Sequence, residues 1–354
     1  MNSILNITIK ETVLRNSAIL LFFILGCMNI ICAQNVTIDG LKYHLFSDTH
    51  EAMIDYGNTW SGELNLPSEV NYNGETYTVT GISWAAFEDC EELRKVRLPK
   101  TITKVIDRTY PDDPSLAGAV SPDCMNPFDG CTNLEYIEVD EENPSFCSFD
   151  GILFSKDKTE LYCYPAGAKR DTYIVPDGVT FIGGDAFAYN YYLVNINMPN
   201  SVNHLGFGVF SNCKNLRSVT LSKGIRIIAA STFERCESMT FLDIPENVTN
   251  FAESVFRWTH FEKLIIRGIF PDGLRRDTFD CMDDATILYV QQSEIEKFKR
   301  VFSGTVLPLE EYVSNINHIT SNQATKTSYD LQGRRLSEKP DRGIYIQNGK
   351  KIVK

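Results

Sequence analysis

Five phenylalanines recur in this chain at a fixed spacing of 23 residues. They are Phe187, Phe210, Phe233, Phe256 and Phe279, and each lies in a segment that resembles the others. A fixed period in this range predicts one short structural unit stacked on copies of itself, because a single unit cannot bury its own apolar face. We therefore expect one elongated repeat array, whose length of 354 residues reflects the number of repeats.

The repeat divides into a turn and a strand. Its fullest copy begins at Ile82 and reads I-x3-A-F-x2-C-x2-L-x2-V-x-L-P-x2-I. In the second half apolar and polar residues alternate, which points Val96 and Leu98 inward and Lys95 outward, as in a strand. The proline stops this strand, and the I-x3-A-F half is long enough only for a short helical turn. Strands of successive repeats are therefore predicted to pair side by side in a curved parallel sheet.

The same pattern resembles the BspA-like leucine-rich repeat family of bacterial surface proteins. The resemblance covers roughly residues 77–290. It implies an α/β repeat solenoid, with a leucine-rich-repeat curved parallel sheet, short convex helical turns, an antiparallel β N-terminal cap and a small C-terminal β segment. It also implies a non-catalytic, adhesion-type role on a bacterium of the Bacteroidetes type.

Segments that depart from the repeat divide the chain further. Residues 34–76 are predicted to form the N-terminal cap, in which Asn73 and Gly74 make a two-residue hairpin turn. An irregular β-hairpin is expected in an insertion near residues 140–175, and a loop is expected at residues 110–114. Residues 291–320 are predicted to close the array.

The last segment, residues 321–354, is predicted to be a polar linker followed by short β-strands. It resembles the C-terminal sorting segment of exported proteins of Bacteroidetes-type bacteria, where Gly-x-Tyr and a basic end recur, as at Gly343 and Tyr345. A β-hairpin that turns at Asn348 and Gly349, without sorting activity, is the alternative interpretation.

Residues 1–33 are predicted to be a secretory signal peptide. A basic flank precedes an apolar run at residues 18–25, and Ala33 is the small residue expected before a cleavage site. The alternative is lipid modification of Cys27, which would anchor the chain to a membrane. Both interpretations predict export to the medium, the cell surface or the outer membrane. The apolar run is too short for a comfortable membrane span, and the mature chain is expected to contain no integral membrane span.

The charge and the cysteines narrow the possible partners. The formal net charge is -12 at pH 7, whereas proteins that hold nucleic acid need basic stripes, so no nucleic-acid partner is expected. Four cysteines follow a repeat phenylalanine by three residues and are predicted to form a buried column of free thiols. These are Cys90, Cys131, Cys213 and Cys236. Cys124, Cys147 and Cys163 lie off this column, and the sequence does not decide whether two of them form a disulfide.

The sequence contains no recognisable catalytic or metal-binding constellation. The five histidines share no motif, and no G-x-S-x-G, H-E-x-x-H or phosphate-binding glycine loop occurs. The cysteines form no C-x2-C pair, and the acidic runs lack the spacing of a calcium loop. We therefore expect no enzyme activity, no cofactor and no metal.

The outward side chains of the predicted strands are the candidate binding surface, because repeat proteins usually bind on such a face. The candidate ligand-binding residues are Lys95, Arg97, Tyr136, Glu138, Asn197, Thr220, Phe241, Asp243, Ile265 and Tyr289. Exposed aromatic and apolar residues among polar ones suit a protein or glycan partner of unknown identity. Scattered apolar residues without a function are the alternative. The second functional hypothesis is a structural scaffold protein of the bacterial cell envelope.

Overall fold

The computed structural model describes residues 33–106, 126–270 and 276–312, together with three short strands near the C-terminus. The predicted signal peptide up to residue 32, including the alternative lipid site Cys27, lies outside the described residues. So do Cys124, the loop predicted at residues 110–114 and the linker predicted from residue 321.

The described chain begins with a mixed β-sheet. The first six strands are β1 (Ala33–Ile38), β2 (Leu41–Phe46), β3 (Glu51–Ile54), β4 (Gly62–Asn65), β5 (Glu69–Tyr72) and β6 (Glu75–Ser83). All but β4 join one sheet, in the order β1-β2-β3-β6-β5. The hairpin predicted between β5 and β6 is confirmed, and Asn73 and Gly74 have the positive φ angles, 53° and 85°, that its tight turn requires. The expectation that the N-terminal cap is antiparallel throughout is wrong. The chain leaves this sheet after β3 to form β4, and when it returns as β6 it pairs in parallel with β3.

The strand half of each repeat pairs in parallel with its neighbours, as the sequence predicts. One sheet contains β4, β7 (Leu93–Leu98) and β9 (Tyr136–Val139), and a second contains β13 (Thr172–Ile174), β15 (Asn195–Asn197) and β17 (Ser218–Thr220). The third contains β19 (Phe241–Ile244), β21 (Lys263–Ile266), β22 (Ile287–Val290) and β23 (Thr305–Pro308). We call the side of these strands that points away from the core the concave face.

The turn half of each repeat is not helical. It begins with a short strand on the opposite side of the array, namely β8 (Lys104–Ile106), β12 (Glu160–Cys163), β14 (Phe181–Ile182), β16 (His204–Leu205), β18 (Ile227–Ile228) or β20 (Asn250–Phe251). Around Phe233, the residues Ser231 and Arg235 have φ angles of 54° and 57°. Two left-handed residues this close together interrupt a right-handed helix. The expected convex helical turns are therefore irregular turns in the described repeats, apart from a 3-10 turn at Arg276–Phe279, and the fold is mostly β rather than α/β.

The repeat phenylalanines stack into a ladder through the core. Ring centroids lie 5.4 Å apart for Phe187 and Phe210, 5.6 Å for Phe210 and Phe233, 6.1 Å for Phe233 and Phe256, and 5.9 Å for Phe256 and Phe279. All five rings are buried. Stacked aromatic pairs stabilise a core beyond their buried area. The 23-residue register is thus confirmed.

Part of the predicted insertion is itself a repeat. The expected hairpin is present as β10 (Phe146–Phe149) and β11 (Ile152–Ser155), which pair antiparallel. After it, β12 pairs in parallel with β14, and β13 pairs in parallel with β15. Between β12 and β13 the ring of Tyr164 stacks on that of Phe187 at 5.1 Å. Tyr164 lies one 23-residue period before Phe187, so the array resumes at β12 and the hairpin is the inserted part.

The predicted cysteine column is confirmed, and each thiol has a hydrogen-bond partner. The four side chains are buried, and each Sγ donates to a main-chain carbonyl oxygen earlier in the chain. The distances are 3.1 Å from Cys90 to Asn58, 3.0 Å from Cys131 to Phe87, 3.0 Å from Cys213 to Phe187 and 3.2 Å from Cys236 to Phe210. Cys147 and Cys163 are free thiols, so no bridge joins them.

The C-terminal end of the array contains only short elements. A 3-10 turn (Gln292–Glu294) leads into a short α-helix (Ile295–Phe298), and β23 follows. Further along, β24 (Ser328–Tyr329), β25 (Ile344–Gln347) and β26 (Lys350–Val353) form an antiparallel sheet. The hairpin expected there is present, with Gln347 opposite Lys350, while the sorting role of this segment stays a prediction. In the described part of the chain, no helix has the length and apolar character needed to cross a membrane.

Candidate binding face

The parallel register sorts the side chains of the concave face into two rows. Lys95 lies opposite Tyr136 and Arg97 opposite Glu138, while Asn197 lies opposite Thr220. The first row contains Glu63, Lys95, Tyr136, Thr172, Asn195, Ser218, Phe241, Lys263, Ile287 and Thr305. The second row contains Asn65, Arg97, Glu138, Ile174, Asn197, Thr220, Asp243, Ile265, Tyr289 and Leu307. All ten candidate residues from the sequence lie in these rows.

The charges at the N-terminal end of the face are paired with each other. Glu138 lies between two cations, with its Oε2 2.8 Å from Lys95 Nζ and its Oε1 3.7 Å from Arg97 Nε. This contact raises the pKa of Lys95 and lowers the pKa of Glu138. The Lys95 ammonium also lies 5.7 Å from the ring centre of Tyr136, whose side chain stays 42% exposed. Tyr136 is therefore an accessible aromatic contact in this part of the face.

The inserted hairpin interrupts the face beside Tyr136. Its turn residue Gly151 packs against the Tyr136 ring so closely that a Cβ atom would lie 2.5 Å from a ring carbon. The amide of Ile137 in β9 donates to the Gly151 carbonyl at 2.9 Å. Arg170 fixes the turn from the other side, because its Nη1 lies 2.6 Å from Asp150 Oδ2 and its Nη2 donates to the Asp150 carbonyl at 3.0 Å. The hairpin is thus a wall between β9 and β13.

Beyond this wall lies an uncharged strip, which we call the central band. It consists of the outward side chains of β13, β15 and β17, namely Thr172, Ile174, Asn195, Asn197, Ser218 and Thr220. These three strands contain no charged residue. Asn195 Nδ2 lies 3.4 Å from Thr172 Oγ1, a long hydrogen bond. The side chains of Asn197, Ser218 and Thr220 make no hydrogen bond to the described residues, so they are open to a ligand.

The C-terminal end of the face is covered by the chain itself. Ile265 and Tyr289 were expected to be exposed, but their side chains are only 0% and 5% exposed. Leu309 packs against both, and the ring of Tyr312 lies 5.2 Å from that of Tyr289. The exposure predicted for Ile265 and Tyr289 is therefore wrong, because the segment after β23 lies over the second row and buries them.

Two further candidates lie at the edge of this cover. Phe241 stacks on Tyr312 with ring centroids 6.3 Å apart and keeps 40% of its surface exposed. Asp243 is held by Arg267, with Oδ1 2.7 Å from Nε and Oδ2 2.8 Å from Nη2. This double contact raises the pKa of Arg267, so the charge of Asp243 is already neutralised within the protein. The open part of the face extends from β7 to Phe241 and is divided by the hairpin between β9 and β13.

Three strands of the two rows were not recognised in the sequence, namely β4, β13 and β23. β13 supplies Thr172 and Ile174 to the central band, and β4 supplies Glu63 and Asn65 at the N-terminal end. A signal was present for β13 and β4, because Val175 and Leu66 are inward residues followed directly by proline, as Leu98 is. Among the residues that the structure describes, no group of three or more His, Cys, Asp or Glu side chains is placed to hold a metal ion.

Parallel strands from 23-residue repeats, a buried aromatic ladder and one open face define a leucine-rich repeat solenoid. Residues 68–149 and 158–273, more than half of the chain, match the BspA type leucine rich repeat region in six copies. The chain therefore belongs to the BspA-type leucine-rich repeat family, as its repeat pattern predicted.

Several solved structures resemble this fold. The pneumococcal vaccine antigen PcpA is 16% identical and has a TM-score of 0.45, with 78% of this chain and 98% of that chain covered. A leucine rich cell surface protein from Faecalibacterium prausnitzii is 16% identical, with a TM-score of 0.45 and coverage of 77% and 99%. A leucine-rich repeat protein from Bacteroides ovatus is 19% identical, with a TM-score of 0.39 and coverage of 77% and 76%. No curated protein sequence matches this chain.

Proposed function

We propose that this chain is an exported cell-surface protein that binds a macromolecular partner on its concave face and catalyses no reaction. The observation that carries the proposal is the pair of in-register rows between β7 and Phe241, where parallel strands hold exposed side chains at a fixed spacing. Membership of a repeat family supports a binding role, since repeat proteins usually bind through such faces. The predicted signal peptide supports export.

A rigid support behind the face favours binding without rearrangement. The inward residues of the central strands, Tyr173, Ile196 and Val219, lie in the same buried cluster as the phenylalanine ladder. Strands packed on such a core hold their outward side chains in place, so little ordering is needed when a partner binds.

The charges of the face point to recognition by shape and hydrogen bonds. Lys95 and Arg97 contact Glu138, and Glu63 lies opposite Lys95 on the next strand. Asp243 contacts Arg267, so the charges of each group are balanced before any partner arrives. Electrostatic attraction raises association rates mainly where charges are uncompensated over a wide surface. We therefore assign the main contacts to Tyr136, Phe241 and the polar groups between them.

The proposal is tested by measuring binding to a printed panel of matrix glycoproteins, plasma proteins and glycans. The purified protein is compared with the double variant Tyr136→Ala/Phe241→Ala and with the control Tyr192→Ala/Phe207→Ala, which removes two exposed aromatic rings outside the concave strands. We expect the first variant to lose the signal and the control to keep it. Equal binding by both variants, each shown to be folded by thermal unfolding, would contradict a role for the concave face.

The alternative function is a structural scaffold protein of the cell envelope, bound to a partner from its own cell. It is favoured by two exposed apolar residues on the opposite side of the array, Phe207 after β16 and Ile227 in β18. Protease treatment of intact cells separates the two functions. Release of the array is expected for a surface binding protein, whereas complete protection is expected for an envelope scaffold.

A further inference from the structure

We infer that the partner is an uncharged polysaccharide, held as an extended chain across the central band. This inference rests on the proposed function and specifies its ligand. It comes from the chemistry of Thr172, Asn195, Asn197, Ser218 and Thr220, which are hydroxyl and amide groups in register on three adjacent strands. Each such group both donates and accepts hydrogen bonds, as a sugar hydroxyl does.

The absence of charge from β13, β15 and β17 favours a neutral ligand over an acidic one. At the edge of the band, Asp171 and Arg217 precede Thr172 and Ser218 and carry opposite charges, so they add no net charge. The next cation along the first row is Lys263, two strands beyond Ser218. A carboxylated or sulfated chain on the band would have one guanidinium to contact, with a carboxylate at the same edge.

The spacing of the band suits a linear sugar chain. Neighbouring strands lie about 4.8 Å apart, which is close to the length of one sugar unit in an extended chain. Each unit would then meet one strand, with Thr172, Asn195 and Ser218 as successive contacts. Phe241, in the same row on the open side of the band, offers an exposed ring on which the apolar face of a sugar stacks, whereas Tyr136 lies beyond the hairpin. Ile174, 67% exposed, adds an apolar contact in the second row.

A protein partner fits the band less well. Protein interfaces depend on a few large anchors, mostly Trp, Tyr and Arg, at a desolvated centre. Apart from Ile174, the centre of this face contains small polar side chains, and the exposed aromatic residues Tyr136 and Phe241 lie outside it. A protein ligand is therefore the competing outcome of the experiment.

The experiment is calorimetric titration of the purified protein with neutral gluco-, manno- and galacto-oligosaccharides of two to eight units. Oligosaccharides of uronic acids and deglycosylated matrix proteins serve as comparison probes. The test variant is Asn197→Ala/Thr220→Ala. The control is Asn203→Ala/Asn250→Ala, which removes two exposed amides on the opposite side of the array. Asn203 directly precedes β16, and Asn250 lies in β20.

We expect at least one neutral series to bind, with an affinity that rises up to about four units and then stays level, because four concave strands, β13, β15, β17 and β19, meet the chain. The test variant should weaken binding about tenfold or more, because two hydrogen-bonding groups are lost, while the control binds normally. Binding of only the acidic or the protein probes, lost in Tyr136→Ala/Phe241→Ala, would overturn the neutral polysaccharide and leave the proposed function standing. Binding of no probe would overturn both.

Discussion

The rings of Phe210 and Phe233 stack with their centroids 5.6 Å apart and their planes at 23°. On its other side Phe233 stacks on Phe256 at 6.1 Å, so one buried side chain joins three consecutive repeats. The stability of a repeat array comes largely from the interfaces between neighbouring repeats. The phenylalanine ladder is therefore where the array is most sensitive to substitution.

Phe233→Ala should lower the free energy of unfolding by about 3–5 kcal/mol, because it leaves a cavity between repeats. The matched control is Phe207→Ala, which removes an exposed ring from the same side of the array and should change stability by less than about 0.5 kcal/mol. Chemical denaturation followed by circular dichroism measures both. A loss below about 1 kcal/mol for Phe233→Ala would mean that this ring does not support the core.

Ile265→Ala tests whether the C-terminal segment covers the second row. Because Ile265 is fully buried against Tyr289 and Leu309, the substitution should cost about 2–5 kcal/mol of unfolding free energy. The same substitution at Ile174, in the same row but exposed, should be nearly neutral. Denaturant titration of the two variants gives the comparison. Equal and small effects would show that Ile265 is open to solvent and that the cover is absent.

Asp185 and Asp129 predict a dependence of stability on pH. Burial, together with the nearby charge of Asp129, raises the pKa of Asp185 to about 8, and burial raises the pKa of Asp129 to about 7. In the unfolded chain both carboxyls have a pKa of about 4, so the folded protein binds more protons between these values. The free energy of unfolding should therefore be highest below about pH 4, as far as these two groups determine it, and should fall as the pH rises to about 8.

Asp185→Asn removes the larger part of this effect. At about pH 8 the variant should be more stable than the parent by about 1–3 kcal/mol, and the difference should shrink on acidification. Asn also tolerates the φ angle of 52° found at this position. Asp177→Asn, an equal charge change at an exposed site, is the control. Thermal unfolding across the pH range measures both, and a parent whose stability rises from acid to neutral pH together with an inert Asp185→Asn would refute the argument.

The cysteine column predicts selective protection from alkylation. Burial raises the pKa of Cys213 to about 12 and raises the pKa of Cys236, and the thiolate is the reactive form. In native protein treated with iodoacetamide at about pH 8, Cys281 should react because it is exposed, whereas Cys213 and Cys236 should react only after unfolding. Mass spectrometry of the digested protein identifies the labelled sites. Rapid labelling of Cys213 in the native state would place it outside the core.

The regular part of this fold is predictable because its determinants are local and repeated. The 23-residue period identifies the Phe210 and Phe233 ladder, the Cys213 column and the row that joins Asn197 to Thr220, since each needs only the repeat pattern. Tyr164 was missed although it lies in the same register. Its repeat has tyrosine in place of phenylalanine and follows directly on the hairpin. The pattern alone therefore does not separate this repeat from the inserted strands.

The irregular part depends on contacts between distant segments. Ile265 has the outward position of a concave residue, and only the packing of Leu309 and Tyr312 upon its row makes it part of a core. Likewise, the helical turns expected from the I-x3-A-F pattern are replaced by turns with left-handed residues such as Ser231 and Arg235. Neither residue type signals a left-handed conformation in a sequence, in contrast to Gly or Asn.

The most direct test of the concave face is to block it with a bulky charged side chain. Ser218→Arg places an arginine in the middle of the central band, and Asn203→Arg places one on the opposite side of the array, both at exposed positions. Surface plasmon resonance would measure the affinity of the parent and both variants for the strongest ligand found among the glycoproteins, plasma proteins and glycans tested. We predict that Ser218→Arg weakens binding at least about tenfold, a loss of about 1.4 kcal/mol, while Asn203→Arg leaves it unchanged. Unchanged affinity for Ser218→Arg, or equal loss in both variants, would contradict binding at the concave face.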